Sequence, residues 1–147
     1  MTTIIRATKE QISVLIPLLD KYRTFYNQNS DERAARKFLE NRIKNKDSVI
    51  FLAFYDSSPA GFTQLYSSFS SVSLKPIFIL NDLYVYSEFR NKGIGEELLN
   101  NAKEYCLLQE YKGLALETGI NNPAQKLYER LGWKRNTTTL HYFWEAK

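Results

Sequence analysis

The sequence predicts a mixed α/β fold in which helices pack on a central sheet, and three observations support this. Short β-forming segments alternate with stretches of helical periodicity, in the order β-α-α-β-β-β-α-β-α-β. The hydrophobic content of 44% is sufficient for a full core. The chain of 147 residues contains no internal repeat and no domain linker, and it has the size of one domain. Residues 1–147 are therefore expected to form a single domain.

The first predicted elements are one strand and two helices. The strand is expected over Thr3–Ala7. Thr8 and Gln11 have the spacing of a capping box, and helical periodicity continues from there to about Tyr26. Asp31 then opens the second helix.

Three strands are predicted next. Ser48–Tyr55 is rich in β-forming residues, and Phe62–Ser67 returns after a turn. The serine-rich stretch Ser67–Ser73 is expected to be a loop. It leads into Ile77–Val85, a long apolar strand that is expected to be buried on both faces.

The remaining chain predicts two more helices and two more strands. Glu96–Gln109 has helical periodicity, and Leu114–Thr118 alternates like a strand. The last helix is expected to have Pro123 at its first position and Gly132 as its C-cap. Thr137–Trp144 is predicted to be the terminal strand.

Composition argues against several kinds of partner. The net charge of +4 is modest, and the basic residues within 33–46 alternate with acidic ones as on a solvated helix face, so no nucleic acid is expected. No apolar run approaches the ~20 residues that span a bilayer, so no membrane partner is expected. Cys106 is the only cysteine, which excludes an intrachain disulfide and predicts a cytoplasmic protein.

Several kinds of catalytic site are also excluded. His141 is the only histidine, and the chain has no nucleophile-elbow motif, which argues against Ser-His-Asp catalysis. One histidine and one cysteine cannot form a zinc site, so no metal is expected. The sequence also lacks the G-x-x-x-x-G-K-S/T loop of nucleoside triphosphatases.

A basic, glycine-containing turn follows the strand that ends at Val85. Its residues are Arg90, Asn91, Lys92, Gly93, Ile94 and Gly95. The first N–H groups of a helix have no intrahelical acceptor and lie at the positive end of the helix dipole. A strand that runs through such a turn into a helix is therefore an anion site, and a phosphorylated cofactor is the expected ligand.

A second segment, residues 121–133, makes the interpretation of that turn more specific. Together the two resemble the GNAT superfamily of acetyl-CoA-dependent N-acetyltransferases, whose motifs are R/Q-x-x-G-x-G/A and N-x-x-A-x-x-L-Y-x-x-x-G-F. The turn matches the first motif in full. The second is matched at Asn121, Ala124, Leu127, Tyr128 and Gly132, with Trp133 in place of the usual Phe. The resemblance implies a mostly antiparallel sheet, a fourth and a fifth strand that splay apart, and four flanking helices.

The resemblance also implies where acetyl-CoA binds. The turn, continued by Glu96, would hold the pyrophosphate through backbone N–H groups. Leu83, Tyr84 and Val85 would pair with the pantetheine arm along a strand freed by a bulge. Either Asn121 or Asn122 would contact the cofactor, while the other caps the last helix.

Three residues are candidates for the chemistry. Tyr128 lies at the position of the family's general acid, where it would stabilise the departing thiolate. Asp82 and Glu117 are alternative bases for deprotonating the acceptor amine, and bulk water is the third possibility. Asp82 is notable because it lies inside an otherwise apolar strand, where an unpaired carboxylate is costly.

The acceptor is expected to be a primary amine of a small molecule. Tyr22 and Tyr26, with Phe25, lie at helical spacing in the first helix, and Arg23 could bind a carboxylate in a bidentate fork. An amino-acid-like acceptor is therefore preferred. A diamine or polyamine, a protein N-terminus, and a non-catalytic acyl-CoA sensor remain as alternatives, and homodimers are common in the family.

Overall fold

The protein is described here by a computed structural model that covers all residues from 1 to 147. The chain forms two compact units, Met1–Glu117 and Thr118–Lys147. The first unit holds strands β1 (Thr2–Arg6), β2 (Ser48–Tyr55), β3 (Ser58–Ser70), β4 (Lys75–Val85) and β5 (Leu114–Ala115), with helices α1 (Ile12–Phe25), α2 (Glu32–Asn45) and α3 (Ile94–Leu108). The second unit holds helix α4 (Ala124–Arg130). No helix is long and apolar enough to cross a membrane.

The five strands form one sheet in the order β1-β2-β3-β4-β5. Neighbouring strands are antiparallel except for β4 and β5, which run parallel. β5 pairs with β4 only at Phe78 and Ile79, so the rest of β4 up to Val85 has no strand on that side. This geometry confirms the predicted splay of the fourth and fifth strands.

Each face of the sheet is covered by helices. Helices α1 and α2 pack on one face, where Leu15, Leu18 and Leu39 join Phe62 of β3 in a single cluster. Helix α3 covers the other face, where the ring of its Tyr105 lies 5.6 Å from that of Phe78. Apolar burial on both faces explains why β2, β3 and β4 contain long runs of β-forming residues.

A β-bulge changes which face the β4 side chains point to. Leu80 pairs with Leu65 and Asp82 pairs with Gln64, so Asn81 is an extra residue on β4. Adjacent residues of β3 face opposite sides of the sheet, and therefore Leu80 and Asp82 do so as well. Without the bulge, Asp82 would point toward α3; with it, Asp82 points toward α1 and α2.

The predicted capping signals are present at the start of the first helix and at the end of the last, although α4 begins at Ala124, one residue after the predicted Pro123. Thr8 and Gln11 form a capping box, although the chain passes through a short 3-10 turn, Lys9–Gln11, before α1 begins. Gly132 has a positive φ of 92° just after α4. The Trp133 N–H there donates to the Tyr128 carbonyl at 3.0 Å, which completes a Schellman cap.

Several predicted boundaries are wrong, among them the start of β3, which is Ser58 and not Phe62. Ser67–Ser70 belongs to β3 and not to a loop, since serine backbone can pair along the two-stranded end of the β3–β4 hairpin. Helix α3 begins at Ile94, before the predicted Glu96. Residues 116–118 lie beyond β5, which ends at Ala115. Residues 137–144 form no strand, because β propensity alone does not supply the partner that a ladder requires.

Candidate active site

The turn before α3 has an open helix N-terminus. Gly93 is the N-cap, with a φ of 79°, and no side chain caps the helix. A Cβ at Gly93 would meet no atom within 4 Å, so the backbone there is open to close approach. The side chain of Ile94 is buried, so only its backbone could reach a ligand in the turn. These features fit a phosphate group, which backbone N–H groups at a helix start bind well.

Two cations are held beside the turn. Arg90 Nε donates to the Val85 carbonyl at 3.1 Å, and its guanidinium lies 5.7 Å from the centre of the Tyr84 ring. Lys92 Nζ lies 5.2 Å from the centre of the Tyr55 ring. Both side chains therefore have preferred positions, and both add to the positive end of the α3 dipole.

The end of β4 exposes backbone groups on its free edge. The Tyr86 N–H donates to the Ala60 carbonyl at 2.8 Å, which makes Tyr86 and Ala60 a hydrogen-bonded pair. Because such pairs alternate along antiparallel strands, the N–H and C=O groups of Leu83 and Val85 point away from β3. Those of Tyr84 point toward β3. Of the three residues predicted to pair with pantetheine, two therefore present backbone groups to an edge ligand.

Asp82 is almost fully buried, with 4% of its surface exposed, and it is hydrogen-bonded on both carboxylate oxygens. Gln64 Nε2 donates to Oδ2, and Asn81 Nδ2 donates to Oδ1 at 2.9 Å. Burial raises the pKa of Asp82, while hydrogen bonds from Gln64, Asn81 and Tyr22 act in the opposite direction. A carboxyl with a raised pKa is a suitable proton acceptor for an ammonium group.

The predicted acceptor residues on α1 take different positions. The Tyr22 hydroxyl donates to the Asn81 carbonyl at 3.1 Å, and its ring packs against Phe62 and Tyr84. Tyr26 lies at the end of α1, where its ring meets that of Tyr22 at 5.0 Å and 47% of its surface is exposed. Arg23 Nη1 donates to the Asn29 carbonyl at 3.3 Å. Tyr22 thus joins α1 to the bulge of β4.

Glu117 and the predicted residues of the second unit can each be described by their exposure and their local contacts. Glu117 is exposed and lies two residues beyond β5, so the prediction that it stands on a strand is wrong. Asn122 Oδ1 accepts from the Ala124 N–H at 2.9 Å, so Asn122 caps α4. Its neighbour Asn121 is exposed. Tyr128 lies on α4 with its ring 6.1 Å from that of Trp133.

Sequence reasoning missed three polar residues around Asp82. Gln64 is fully buried on β3, and Asn81 forms the bulge. Burial, with a smaller contribution from the charge of Asp82, raises the pKa of Tyr66 to about 12. Gln64 could have been found by the reasoning that identified Asp82, because it too interrupts an apolar strand. The pairing of the two residues depends on the bulge, which the sequence pattern does not reveal.

Comparisons with known proteins agree with this geometry. The model of the Acetyltransferase (GNAT) family matches residues 15–133. A Bacillus subtilis (strain 168) relative, named uncharacterized N-acetyltransferase YhfO, is 44% identical over 138 residues, which cover 93% of each chain. A probable acetyltransferase of Haemophilus influenzae is 28% identical over 137 residues, covering 84% of this chain and 94% of the relative.

Solved structures show the same fold. The crystal structure of a probable acetyltransferase superposes with a TM-score of 0.92 at 40% identity, covering 99% of this chain and 98% of the other. Aminoglycoside N-acetyltransferase AAC(6')-Iy, in complex with CoA, superposes with a TM-score of 0.82 at 18% identity, covering 99% of this chain and 96% of the other. At that identity the likeness concerns the fold alone. The chain thus belongs to the GNAT acetyltransferase family and is an N-acetyltransferase, an acyltransferase whose acetyl donor is acetyl-CoA.

Proposed function

We propose that this enzyme transfers acetyl from acetyl-CoA to the primary amine of a small molecule by direct attack in a ternary complex. One observation carries the proposal: Arg90 Nε bonds the Val85 carbonyl at 3.1 Å, which ties the anion-binding turn to the free edge of β4. A single extended ligand with a diphosphate and an amide-containing arm matches both features. No covalent intermediate is needed, because no activated nucleophile is present among the candidate residues.

The donor would be held by backbone more than by side chains. The N–H groups of the turn, residues 91–96, would donate hydrogen bonds to the pyrophosphate, with Arg90 and Lys92 supplying positive charge. Leu83 and Val85 would hydrogen-bond the pantetheine arm. Asn121 is the second-unit residue that we assign to the donor, since the side chain of Asn122 already caps α4.

The chemistry requires a base on the acceptor side. Asp82 would take one proton from the acceptor ammonium, directly or through water, with Glu117 as the alternative. The neutral nitrogen then attacks the thioester carbonyl, the new C–N bond forms, and the C–S bond breaks. The second nitrogen proton is released to solvent as the amide forms.

Tyr128 would stabilise the leaving thiolate. A free thiol has a pKa of about 8.5 and tyrosine one of about 10, so full proton transfer from tyrosine is uphill by roughly 2 kcal/mol. A hydrogen bond from the Tyr128 hydroxyl to the sulfur is therefore sufficient, and the thiolate then takes its proton from solvent.

An amino-acid-like acceptor is supported by α1. Arg23 uses one nitrogen to bond the Asn29 carbonyl, and its guanidinium retains other N–H groups for a carboxylate. Tyr26 lies at the end of α1, about one turn beyond Arg23, and is half exposed. It would contact the side chain of the amino-acid-like substrate. Comparing acetylation of free amino acids with that of their amides tests Arg23, and equal rates would exclude it from this role.

Binding of the donor can be tested apart from catalysis. In Arg90→Gln, the affinity for CoA measured by calorimetry should fall about tenfold, as expected for a hydrogen bond to a charged group. Arg33→Gln, on the exposed face of α2, is the matched control and should bind CoA like the wild type. An equal loss in both variants, or no CoA binding by the wild type, would contradict the proposed donor site.

The acceptor class is tested by measuring thiol release from acetyl-CoA. The panel contains amino acids, diamines, aminoglycosides and short peptides with a free N-terminus. Preference for a small amine supports the proposal, and preference for peptides supports the N-terminal alternative. CoA binding without thiol release for any amine would instead favour a sensor.

A further inference from the structure

Gln64 and Asp82 form a buried polar pair inside the sheet. The two residues are register partners on β3 and β4, and Gln64 Nε2 donates to Asp82 Oδ2. Gln64 has no exposed surface and Asp82 has 4%. Burying two polar side chains costs free energy unless they hydrogen-bond to each other or take part in function. The bulge at Asn81 is what brings them to the same face.

The other end of the Gln64 amide has no partner. Gln64 Oε1 is buried and accepts no hydrogen bond, although the protein interior normally satisfies such an atom. An amide carries a donor and an acceptor on one rotating group. By turning over, Gln64 could accept a hydrogen bond from a protonated Asp82, just as it now donates one to the carboxylate.

We propose that Gln64 is a positioning residue that serves both protonation states of Asp82, donating to its carboxylate and, after rotation of the amide, accepting from its carboxylic acid. This inference rests on the proposed function, in which Asp82 takes a proton from the acceptor. The orphaned oxygen of Gln64 then has a use in one half of the catalytic cycle.

The proton step balances without another reactant. The acceptor ammonium gives one proton to an oxygen of Asp82, so the carboxylate becomes a neutral acid and the amine becomes neutral. The new acid O–H donates to Gln64 Oε1. After product release, the proton leaves to solvent past the exposed side chain of Asn81, whose amide bonds Oδ1 at 2.9 Å.

Other groups act on Asp82 from three neighbouring elements. From α1, the Tyr22 hydroxyl donates to the Asn81 carbonyl and favours the charged form of Asp82. From β3, burial and the nearby charge of Asp82 raise the pKa of Tyr66 to about 12, so the Tyr66 hydroxyl stays neutral. From α2, Arg42 and Asp47 act on Tyr66 and pair with each other at 3.0 Å. Asn81 and Tyr22 also carry both a donor and an acceptor, but Gln64 is the one among these groups whose second polar atom is buried without a hydrogen-bond partner.

The main experiment measures the titration of the Asp82 carboxyl by carbon-13 NMR in the wild type and in Gln64→Met. Methionine has a similar shape but neither donates to the carboxylate nor accepts from the acid as an amide does. A hydrogen bond to a charged group is stronger than one to a neutral group, so the carboxylate loses more than the acid and the titration of Asp82 should shift upward. The acid limb of the kcat/KM profile should shift upward with it. Below the shifted limb, kcat/KM falls about tenfold per pH unit.

Thr63→Val is the matched control. Thr63 is as buried as Gln64, and its Oγ1 donates to the backbone carbonyl of Asp82 at 2.7 Å, on the opposite face of the sheet. Its loss should lower stability but leave the titration of Asp82 in place. A shift of equal size in both variants would show a general effect of lost packing and would overturn the proposal.

A measurement on unmodified side chains keeps the inference testable if Gln64→Met does not fold. With nitrogen-15 glutamine, the side-chain amide signals of Gln64 should move with the Asp82 titration, and this movement should vanish in Asp82→Asn. Gln64 amide signals whose chemical shifts stay constant through the Asp82 titration would refute the inference. If the amide follows Asp82 but Asp82→Asn keeps the acid limb of kcat/KM, then the positioning is correct and the proposed base is wrong.

Discussion

Two buried carboxyl groups, Asp82 and Asp20, make the folding stability of this protein depend on pH. Burial raises the pKa of Asp82, so the folded state binds its proton more tightly than the unfolded chain does. The contribution of Asp82 to folding is therefore fully present below its unfolded pKa of about 3.9 and is lost as pH rises through the folded pKa.

Asp82→Asn removes this contribution. The free energy of unfolding of the variant, minus that of the wild type, should grow in the variant's favour as pH rises from about 4 to about 8. Urea denaturation at several pH values measures the difference. A difference that is the same at every pH would show that Asp82 is not perturbed by burial.

Gly61 is a position where a single methyl group should matter. A Cβ there would lie 2.6 Å from the Tyr84 carbonyl oxygen and 3.2 Å from Val85 Cα, both of them backbone atoms. Gly61→Ala must therefore push β4 outward, at a cost of about 1–3 kcal/mol. The shift falls on the edge proposed to bind the donor, so CoA affinity should fall as well.

Gly113→Ala provides the comparison, since a Cβ at Gly113 meets nothing within 4 Å. We expect it to change the free energy of unfolding by no more than about 0.5 kcal/mol. Thermal unfolding and CoA calorimetry of both variants test the pair. Similar behaviour of the two variants would contradict the close approach of β3 and β4.

At the scale of elements, the connection between α1 and α2 is held by one carboxylate. Asp20 accepts from Ser30 Oγ at 2.6 Å and from the Asp31 N–H at 2.7 Å. Asp31 in turn caps α2 by accepting from the Ala34 N–H at 3.0 Å. The Ser30 hydrogen bond is the main cause that lowers the pKa of Asp20. This latch keeps the loop after Tyr26 against α1.

Asp20→Ala should destabilise the protein by about 1–2 kcal/mol, because two donors lose their acceptor. The stabilisation by Asp20 is present above its unfolded pKa and is lost as pH falls through the lowered folded pKa, opposite in sign to Asp82. Lys21→Ala, at the exposed neighbouring position, is the control. Urea denaturation at pH 7 should separate the two, and equal stability would argue against the latch.

At the scale of the whole molecule, burial is concentrated in the first unit. Every buried hydrophobic residue lies between Ile12 and Cys106. The first unit, Met1–Glu117, also contains the complete sheet. The second unit, Thr118–Lys147, contains no buried hydrophobic residue of this kind, and it carries the proposed leaving-group residue Tyr128.

A chain that ends at Glu117 should therefore still unfold cooperatively, because its core is intact. It should release no thiol from acetyl-CoA above background, since Asn121 and Tyr128 are missing. Circular dichroism during urea denaturation measures the first outcome. A shortened chain without a cooperative transition would show that residues after 117 complete the core.

The sequence alone was sufficient for most elements and for the family, and it placed a glycine-containing turn at the start of α3. These features depend on local physics: the capping box at Thr8, the φ of Gly93 and the Schellman cap at Gly132 are all properties of a few adjacent residues. It failed for residues 137–144, because a strand exists only with a partner, which propensity does not specify.

The face of Asp82 was decided only by the tertiary structure. One inserted residue, Asn81, reverses the alternation of β4 and turns Asp82 from α3 toward α1 and its register partner Gln64. Strand register depends on contacts between residues that are distant in sequence, whereas caps and turns depend on neighbours. For that reason the sequence pattern located the glycine turn before α3, while only folding decided that Gln64 and Asp82 meet on one face of the sheet.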